Sequence, residues 1–223
     1  MARTLNPSSS ESAVALAPNP KSIAANVDAG PAPRAGARII IERVYPQLDG
    51  GRYAIKRVVG DRLEIWADIF RDGHDVLGAS ILYQPEGASR WQSAPMRFFD
   101  NDRWTGTIEL TENRRYRYTI EAWTDPYASW CDRMTRKRTA QQDLSADMQE
   151  GRTLLRAAEI RAGRAIAAPD APIEELLSDA VVDAMKQHGP REDVSRLDRA
   201  YEVFVDRKAA AFAAWYELFP RSA

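Results

Sequence analysis

Three polar side chains that could transfer protons crowd one short stretch, Asp72-Gly73-His74-Asp75. A histidine beside carboxylates is a familiar acid–base arrangement. An Asp-Gly pair between two apolar runs is also a strong turn signal, because glycine adopts positive φ without steric cost. We therefore predict a turn here, with His74 and Asp75 at the end of a sheet, where they contact a neighbouring domain.

Four of the six tryptophans fall within predicted strands and could stack on sugar rings: Trp66, Trp91, Trp104 and Trp123. Trp104 is in phase with the inward apolar residues, so we assign it to the core. Trp66 and Trp123 are out of phase. Large aromatic side chains outside a core mark interfaces more often than sugar sites, so we predict that both contact another domain.

The sequence contains no phosphate-binding loop, nucleophile elbow or metal-ligand spacing. Two histidines and one cysteine also argue against a zinc cluster. The basic residues of the segment 133–138 are predicted to form a solvated helix face, and Cys131 a packed side chain. We predict no catalytic, cofactor-binding or metal-binding residue in this chain.

Composition limits the class of protein. The chain has 223 residues, 44% hydrophobic and 28% charged, with a net charge of −1. No global charge favours nucleic acid or an anionic membrane as a partner. No apolar run reaches the roughly 18 residues of a membrane span. The single cysteine excludes an intrachain disulfide and fits a reducing compartment, so we predict a cytoplasmic protein.

The elements that position these residues begin with strands. Residues 60–83 predict strand, tight turn, strand, because apolar residues alternate on both sides of the Asp-Gly pair. Further alternation predicts strands at 38–44, near 54–59, at 90–92 paired with 96–99, and at 103–110 and 115–122. About seven short strands at regular spacing indicate an immunoglobulin- or fibronectin-like antiparallel β-sandwich.

The apolar period changes after Asp125-Pro126, which resembles a helix N-cap followed by a proline in the first turn. Asp143 and Asp170 are predicted to cap two more helices. In the last of them an apolar stripe recurs at helical spacing: Ile173, Leu176, Leu177, Ala180, Val181, Ala184 and Met185. This pattern predicts a small helical bundle, appended to the sandwich or inserted into it.

Four regions follow: a disordered tail (1–36), the β-sandwich (37–123), the helical domain (124–200) and a return segment (201–223). The tail is rich in Ala, Pro and Ser and lacks a hydrophobic period. In the return segment, Val203-Phe204-Val205 is predicted as a strand. It has no obvious partner, which suggests a missing domain after it.

The run Ala214-Trp215-Tyr216-Glu217-Leu218-Phe219-Pro220 resembles the first barrel strand of bacterial alpha-1,4-glucan:maltose-1-phosphate maltosyltransferases, members of the α-amylase superfamily. Further likeness lies in Asp49-Gly50-Gly51-Arg52, in Phe70 to Asp75, in Asn101 to Trp104 and in Tyr116 to Trp123. The resemblance covers most of 38–126 and 203–222. The helical part agrees only in outline.

The resemblance implies the N-terminal part of an enzyme that transfers maltosyl units from maltose 1-phosphate to α-1,4-glucans. The family's catalytic carboxylates lie on later barrel strands, so this chain ends before them and is expected to be inactive alone. Trp215, with His74, Asp75, Trp66 and Trp123, would then contact the catalytic barrel. The alternative is a stand-alone α-glucan-binding or scaffold module.

The family's enzymes are homodimers, which implies a second copy of this chain as a partner. We expect the stripe to supply the interface through Ile173, Leu176, Leu177, Ala180, Val181 and Ala184. Packing of the same stripe on the sandwich is the other possibility.

Overall fold

A computed structural model describes residues 39–212 of the chain. Its strands are β1 Ile39–Tyr45, β2 Ile55–Val58, β3 Arg62–Arg71, β4 Leu77–Pro85, β5 Gln92–Asp100, β6 Arg103–Glu109, β7 Arg115–Thr124, β8 Glu192–Arg196 and β9 Tyr201–Asp206. Its helices are α1 Pro126–Thr139, α2 Ser145–Ala162, α3 Ile173–Leu176 and α4 Asp179–His188, followed by a 3-10 helix at Lys208–Phe212. The predicted tail and the segment that resembles a barrel strand lie outside the described residues.

The strands form one curled sheet in the order β1-β3-β6-β5-β4-β7-β9-β2, with β8 paired to β7 beside β9. Strand β5 pairs with β4 through residues 92–95 and with β6 through residues 96–100. At the other side, β1 approaches β7 and β8. A β-rich fold with added helices is therefore confirmed. The sheet is mixed, because β2 and β9 are parallel, and the immunoglobulin-like topology stays a prediction.

The core lies inside the curl. The predicted inward residues of β3 are at most 1% exposed: Leu63, Ile65, Ala67 and Ile69. Ile81 of β4 and Ile120 of β7 are fully buried with them. Burial of each isoleucine contributes about 1.5–3 kcal/mol. The buried Tyr118 hydroxyl donates a hydrogen bond to the Pro46 carbonyl, so this polar group is satisfied within the core.

The predicted hairpin between β3 and β4 is wrong. Strand β3 pairs with β1 and β6, whereas β4 pairs with β5 and β7. The residues 72–76 carry the chain from one half of the sheet to the other. The Asp-Gly pair indicates only that Gly73 adopts a positive φ, which is +109°. A glycine with positive φ occurs in a connection between two layers as well as in a hairpin.

Two further strand predictions need correction. The segments 90–92 and 96–99 do not pair with each other, because residues 92–100 form the single strand β5. The strand at 203–205 is confirmed within β9, but it does not lack a partner. It lies between β7 and β2, with Val203 and Val205 fully buried, so it gives no evidence for a missing domain.

The helices lie between β7 and β8 in the chain and have a hydrophobic cluster of their own. Trp130 and Met134 of α1, Leu155 of α2, Leu176 of α3 and Val181 of α4 are among its buried residues. Asp125 caps α1 as predicted, since its carboxylate accepts a hydrogen bond from the Ala128 N–H at 2.9 Å. Among residues 39–212, no helix is both long and apolar enough to cross a membrane.

The continuous helix predicted through 173–185 is wrong. The segment divides into α3 and α4, because Ser178 adopts an extended conformation and forms the N-cap position of α4. Serine is a favoured residue at that position. Asp170 does not cap α3 either, since Pro172 is its N-cap residue. Asp143 is not the N-cap residue of α2, because Leu144 holds that position. Its carboxylate accepts a hydrogen bond from the Ser145 N–H at 3.0 Å.

Close packing of α1 on α2 requires glycine at position 151. A Cβ atom there would overlap the six-membered ring of Trp130, which is fully buried. Overpacking costs about 1–3 kcal/mol, against about 1 kcal/mol gained in helix propensity. We expect Gly151→Ala to lower the free energy of unfolding by up to about 2 kcal/mol, measured by urea unfolding.

Two further variants test this steric explanation. Gln149→Ala, at an exposed position of the same helix, should change stability by no more than about 0.5 kcal/mol. In a Trp130→Phe background, the ring atoms that the new methyl group meets are absent, so Gly151→Ala should cost less. An equal cost in both backgrounds would contradict the steric explanation.

Candidate functional site

The residues 72–76 lie where the ends of β3 and β7 meet the start of β4. His74 is exposed, and Asp75 forms an ion pair with Arg71 at 3.5 Å. Within the described residues, no hydrogen bond or ion pair joins Asp72, His74 and Asp75 to one another. This arrangement does not form an acid–base constellation.

Arg71 connects this loop to the rest of the fold. Its side chain is 13% exposed, and its guanidinium group pairs with Asp193 of β8 at 3.1 Å. It also donates a hydrogen bond to the Thr124 hydroxyl at the end of β7. One side chain therefore joins the ends of β3 and β7, the loop and the strand that returns from the helices.

A cleft of about 410 Å³ opens beside the loop. Its apolar lining includes Ile69, Leu77, Phe98 and Trp104. Phe98 meets Trp104 edge to face, with ring centroids 5.8 Å apart, and is 57% exposed. The polar side chains in the lining are Arg71, Asp75, Asn101 and Asp102. An apolar cleft with a few polar groups can bind an apolar side chain or ligand group.

The two out-of-phase tryptophans have different surroundings. Trp66 is half-buried on the face of β3 away from the core, and it meets Phe99 edge to face at 5.0 Å. Trp123 is buried, with the Arg191 guanidinium group 3.8 Å from its ring centroid. A Cβ atom at Gly78 would lie 2.6 Å from its indole ring. Other residues of this chain therefore pack against Trp123, and the interdomain role of both tryptophans stays a prediction. Trp215 lies outside the described residues.

The helical stripe is only partly available to a partner. Leu176 and Val181 are 0% and 3% exposed within the helical cluster. They pack on other residues of the helices and not on the sheet core. Ile173, Leu177 and Ala184 are half-buried, and Ala180 is exposed. Their place in an interface stays a prediction.

The basic residues on α1 are paired within the chain. Their partners are Glu150 for Arg133, Asp132 for Arg136, Asp147 for Lys137 and Glu174 for Arg138. Burial raises the pKa of the Cys131 thiol to about 12, so this thiol is not a ready nucleophile at neutral pH. No group of three His, Cys, Asp or Glu residues in the described part of the chain could hold a metal ion.

Sequence reasoning missed the residues that build this junction. Phe98 was expected only as part of a strand, and Asp193 lies in β8, whose sequence Glu192-Asp193-Val194-Ser195-Arg196 is too polar to predict a strand. The strand pattern gives no reason to expect an ion pair at Arg71. Its partner Asp193 follows it by more than a hundred positions.

Asp125 fixes the first helix to the loop. Its backbone N–H donates to the Val76 carbonyl at 2.9 Å, and its side chain caps α1. The Val76 N–H in turn donates to the Ser129 hydroxyl at 2.8 Å. Burial raises the pKa of the Asp125 carboxyl, although backbone hydrogen bonds from Ala128 and Tyr127 partly oppose that shift.

A pH dependence with a defined sign follows. A carboxyl group with a raised pKa in the folded state stabilises the fold at low pH, and this contribution is lost as the pH rises through the folded-state pKa. Asp125→Asn keeps an acceptor at the cap and removes the titration. We expect the unfolding free energy of the parent minus that of Asp125→Asn to decrease as the pH rises from about 3.9. Urea unfolding at several pH values measures this difference.

Asp143→Asn is the matched control. Hydrogen bonds from Ser145 lower the pKa of the Asp143 carboxyl. Its contribution should therefore have the opposite sign, present at neutral pH and lost as the pH falls through the folded-state pKa. Slopes of the same sign for both carboxyl groups would contradict burial as the cause of the Asp125 shift.

Comparison with known proteins identifies the family. A family model described as alpha-1,4-glucan:maltose-1-phosphate maltosyltransferase, domain N/S, matches residues 37–207. The maltosyltransferase of Myxococcus xanthus is 43% identical over 206 residues, which cover 83% of this chain and 31% of that protein. The one from Chlorobaculum tepidum is 35% identical over 201 residues, covering 83% of this chain and 30% of that protein.

The similarity between this chain and a solved structure is weak. A C. elegans twitchin kinase fragment with immunoglobulin domains matches 30% of this chain and 15% of its own, with 11% identity and a TM-score of 0.20, which carries no argument about the fold. The chain spans about a third of the length of the curated relatives named above. From the match over residues 37–207, we conclude that this chain belongs to the alpha-1,4-glucan:maltose-1-phosphate maltosyltransferase family, in the region called domain N/S.

Proposed function

We propose that this chain is the N-terminal, non-catalytic portion of an enzyme that transfers maltosyl units from maltose 1-phosphate to α-1,4-glucans. The observation that carries the proposal is the family match over residues 37–207. In this proposal the curled sheet is the counterpart of the family's N-terminal sandwich. Its role is assembly, through contact with a C-terminal catalytic barrel and with a second copy of the chain. The single cysteine supports a cytoplasmic location.

The exposed apolar groups of the sheet support the contact with a barrel. Phe98 and Phe99 are both more than half exposed on β5, with Trp66 beside Phe99. Exposed aromatic groups of this size mark interaction surfaces. The cleft beside residues 72–76 offers a place for an apolar side chain of the neighbouring domain, and Asp75 is part of its lining.

The partly exposed apolar residues between positions 173 and 184 support the contact with a second copy. Ile173, Leu177, Ala180 and Ala184 are not fully covered by this chain. A two-fold contact places the same patch of both copies together. Ala180 is the exposed member of the set, so it is the best position at which to introduce a charge without disturbing the helical cluster.

The catalytic part of the proposal predicts an inactive chain. Retaining transfer needs a nucleophilic carboxylate and a general-acid carboxylate around the anomeric carbon, and the family resemblance puts both beyond residue 223. We expect this chain, incubated with maltose 1-phosphate and glycogen, to release no phosphate above a protein-free blank. The Myxococcus xanthus relative serves as the positive control. Phosphate release by the chain itself would overturn the proposal.

The assembly part predicts a dimer that a single charge disrupts. We expect the chain to sediment as a dimer at micromolar concentration and Ala180→Glu to sediment as a folded monomer, because the carboxylate would be desolvated at the contact. Ala146→Glu, an exposed alanine in the first turn of α2, is the matched control and should stay dimeric. A monomeric parent, or a control that dissociates equally, would contradict this interface.

A further inference from the structure

Two Asp-Gly pairs occur in the sequence, Asp49-Gly50 and Asp72-Gly73, and there is no Asn-Gly pair. An aspartate followed by glycine is the arrangement in which a side-chain carboxyl group most easily reacts with the peptide backbone. The reason is that glycine has no side chain to shield its nitrogen atom or to restrict its backbone rotation. The fold places the two pairs in different surroundings, so their reactivity differs as well.

Asp72-Gly73 lies in a loop that few contacts restrain. The residues 72–75 are all exposed. Within residues 39–212, the N–H groups of residues 73–75 donate no hydrogen bond, and the Asp72 carboxylate has no hydrogen bond or ion pair. The Asp72 carbonyl accepts a hydrogen bond from the Arg71 Nε atom at 3.2 Å. Gly73 has a φ of +109°, and no heavy atom beyond its chain neighbours lies within 4 Å of the position of a Cβ atom. Little therefore opposes backbone rotation here.

Asp49-Gly50 lies in a turn that several contacts hold closed. Three backbone hydrogen bonds join residues within the segment 48–53, at 3.0, 3.1 and 3.3 Å. The Arg199 guanidinium group also donates a hydrogen bond to the Gly50 carbonyl. The Asp49 carboxylate pairs with Arg52 at 3.9 Å. Rotation of the Asp49 backbone must break part of this network first.

We propose that Asp72-Gly73 is a site of spontaneous isomerisation, at which the peptide linkage moves from the α-carboxyl to the β-carboxyl group of Asp72. The Gly73 nitrogen attacks the Cγ atom and forms an N–Cγ bond, and the hydroxyl of the protonated carboxyl group leaves with the amide proton as water. Water then adds to the α-carbonyl carbon of the five-membered ring, and the bond from that carbon to the nitrogen breaks. One water leaves and one returns, so the reaction needs no oxidant, reductant or cofactor.

The product is a substrate for one class of enzyme, a carboxyl methyltransferase that uses S-adenosylmethionine. The freed α-carboxylate oxygen displaces the methyl group from the sulfonium, which leaves a methyl ester and S-adenosylhomocysteine. Exposure of the whole segment 72–75 gives such an enzyme access to the main chain.

The new linkage also changes the cleft beside the loop. It adds one methylene carbon to the main chain ahead of Gly73, which lines the cleft together with Asp75. Asp75 pairs with Arg71 at 3.5 Å across this same segment. A longer main chain between the two partners therefore alters both the ion pair and the edge of the cleft.

Isomerisation is measured on the chain of residues 1–223 during storage in neutral buffer. Peptide mapping with electron-transfer fragmentation distinguishes the two linkages at each aspartate. Transfer of labelled methyl groups by an isoaspartyl methyltransferase measures the product independently. We expect the isomer to accumulate at Asp72 at least about fivefold faster than at Asp49, because the turn at 48–53 must first break hydrogen bonds.

Asp72→Glu and Asp49→Glu form a matched pair, because both positions are exposed and glutamate keeps the charge but must close a larger, less favourable ring. Asp72→Glu should lower methyl acceptance at least about fivefold, whereas Asp49→Glu should leave it at the parent level. In guanidinium chloride the fold no longer restrains either pair, so the two rates should agree within about twofold. Circular dichroism verifies that both variants are folded.

Equal rates at Asp72 and Asp49 in the folded chain would overturn the proposal. Methyl acceptance that Asp72→Glu leaves unchanged would overturn it too. A preference for Asp72 that persists unchanged in guanidinium chloride would show that the fold is not its cause, which would also contradict the proposal. These measurements do not depend on maltosyl transfer or on dimer formation.

Discussion

The bonding of β5 to two different neighbours determines how the sheet buries its apolar face. A single open sheet with alternating residues leaves that face in water. Because β5 leaves β4 and joins β6 near Pro95 and Met96, the sheet turns back on itself. The apolar residues of β3 then lie across the core from those of β4 and β7. The loop at residues 72–76 must therefore connect two layers, and this requirement places Arg71 and the cleft at one end of the sheet.

The helical part depends on the same end of the sheet. Its first helix begins directly after β7, and hydrogen bonds from Asp125 and to Ser129 tie that helix to Val76. Its last helix leads into β8, whose Asp193 binds Arg71. The insertion thus leaves and re-enters the sheet beside Arg71, whose guanidinium group contacts both the end of β7 and the strand that follows the helices.

The alternation of apolar and polar residues predicted most of the strands, but it did not predict which strands pair with each other. The inward residues of β3 and β7 agree with the two-residue period because each strand buries one face only. Pairing depends on distant segments, so the Asp-Gly turn predicted a hairpin where the chain crosses between layers. The sequence of strand β8 is too polar to show the alternation that predicts a strand.

The helical spacing identified Leu176, Val181 and Met185 as apolar positions, and all three are buried in the helical cluster. The spacing did not predict the break at Ser178 that separates α3 from α4. Of the predicted site, Asp75 lines the cleft and His74 does not. Phe98 and Trp104 line it from β5 and β6, and their place there required the strand pairing to be known.

The parallel pairing of β2 with β9 has a consequence for synthesis on the ribosome. Ile55 is opposite Val203, so the helices α1 to α4 are all translated before β2 can acquire that neighbour. Contacts this distant in the chain form slowly, because a long loop must close first. Until β9 emerges, residues 115–118 of β7 and the whole of β2 lack the neighbour that β9 provides, so their backbone groups are open to other chains. The nascent protein therefore passes through a period in which its sheet is open to misassembly, and that period closes when β9 is inserted.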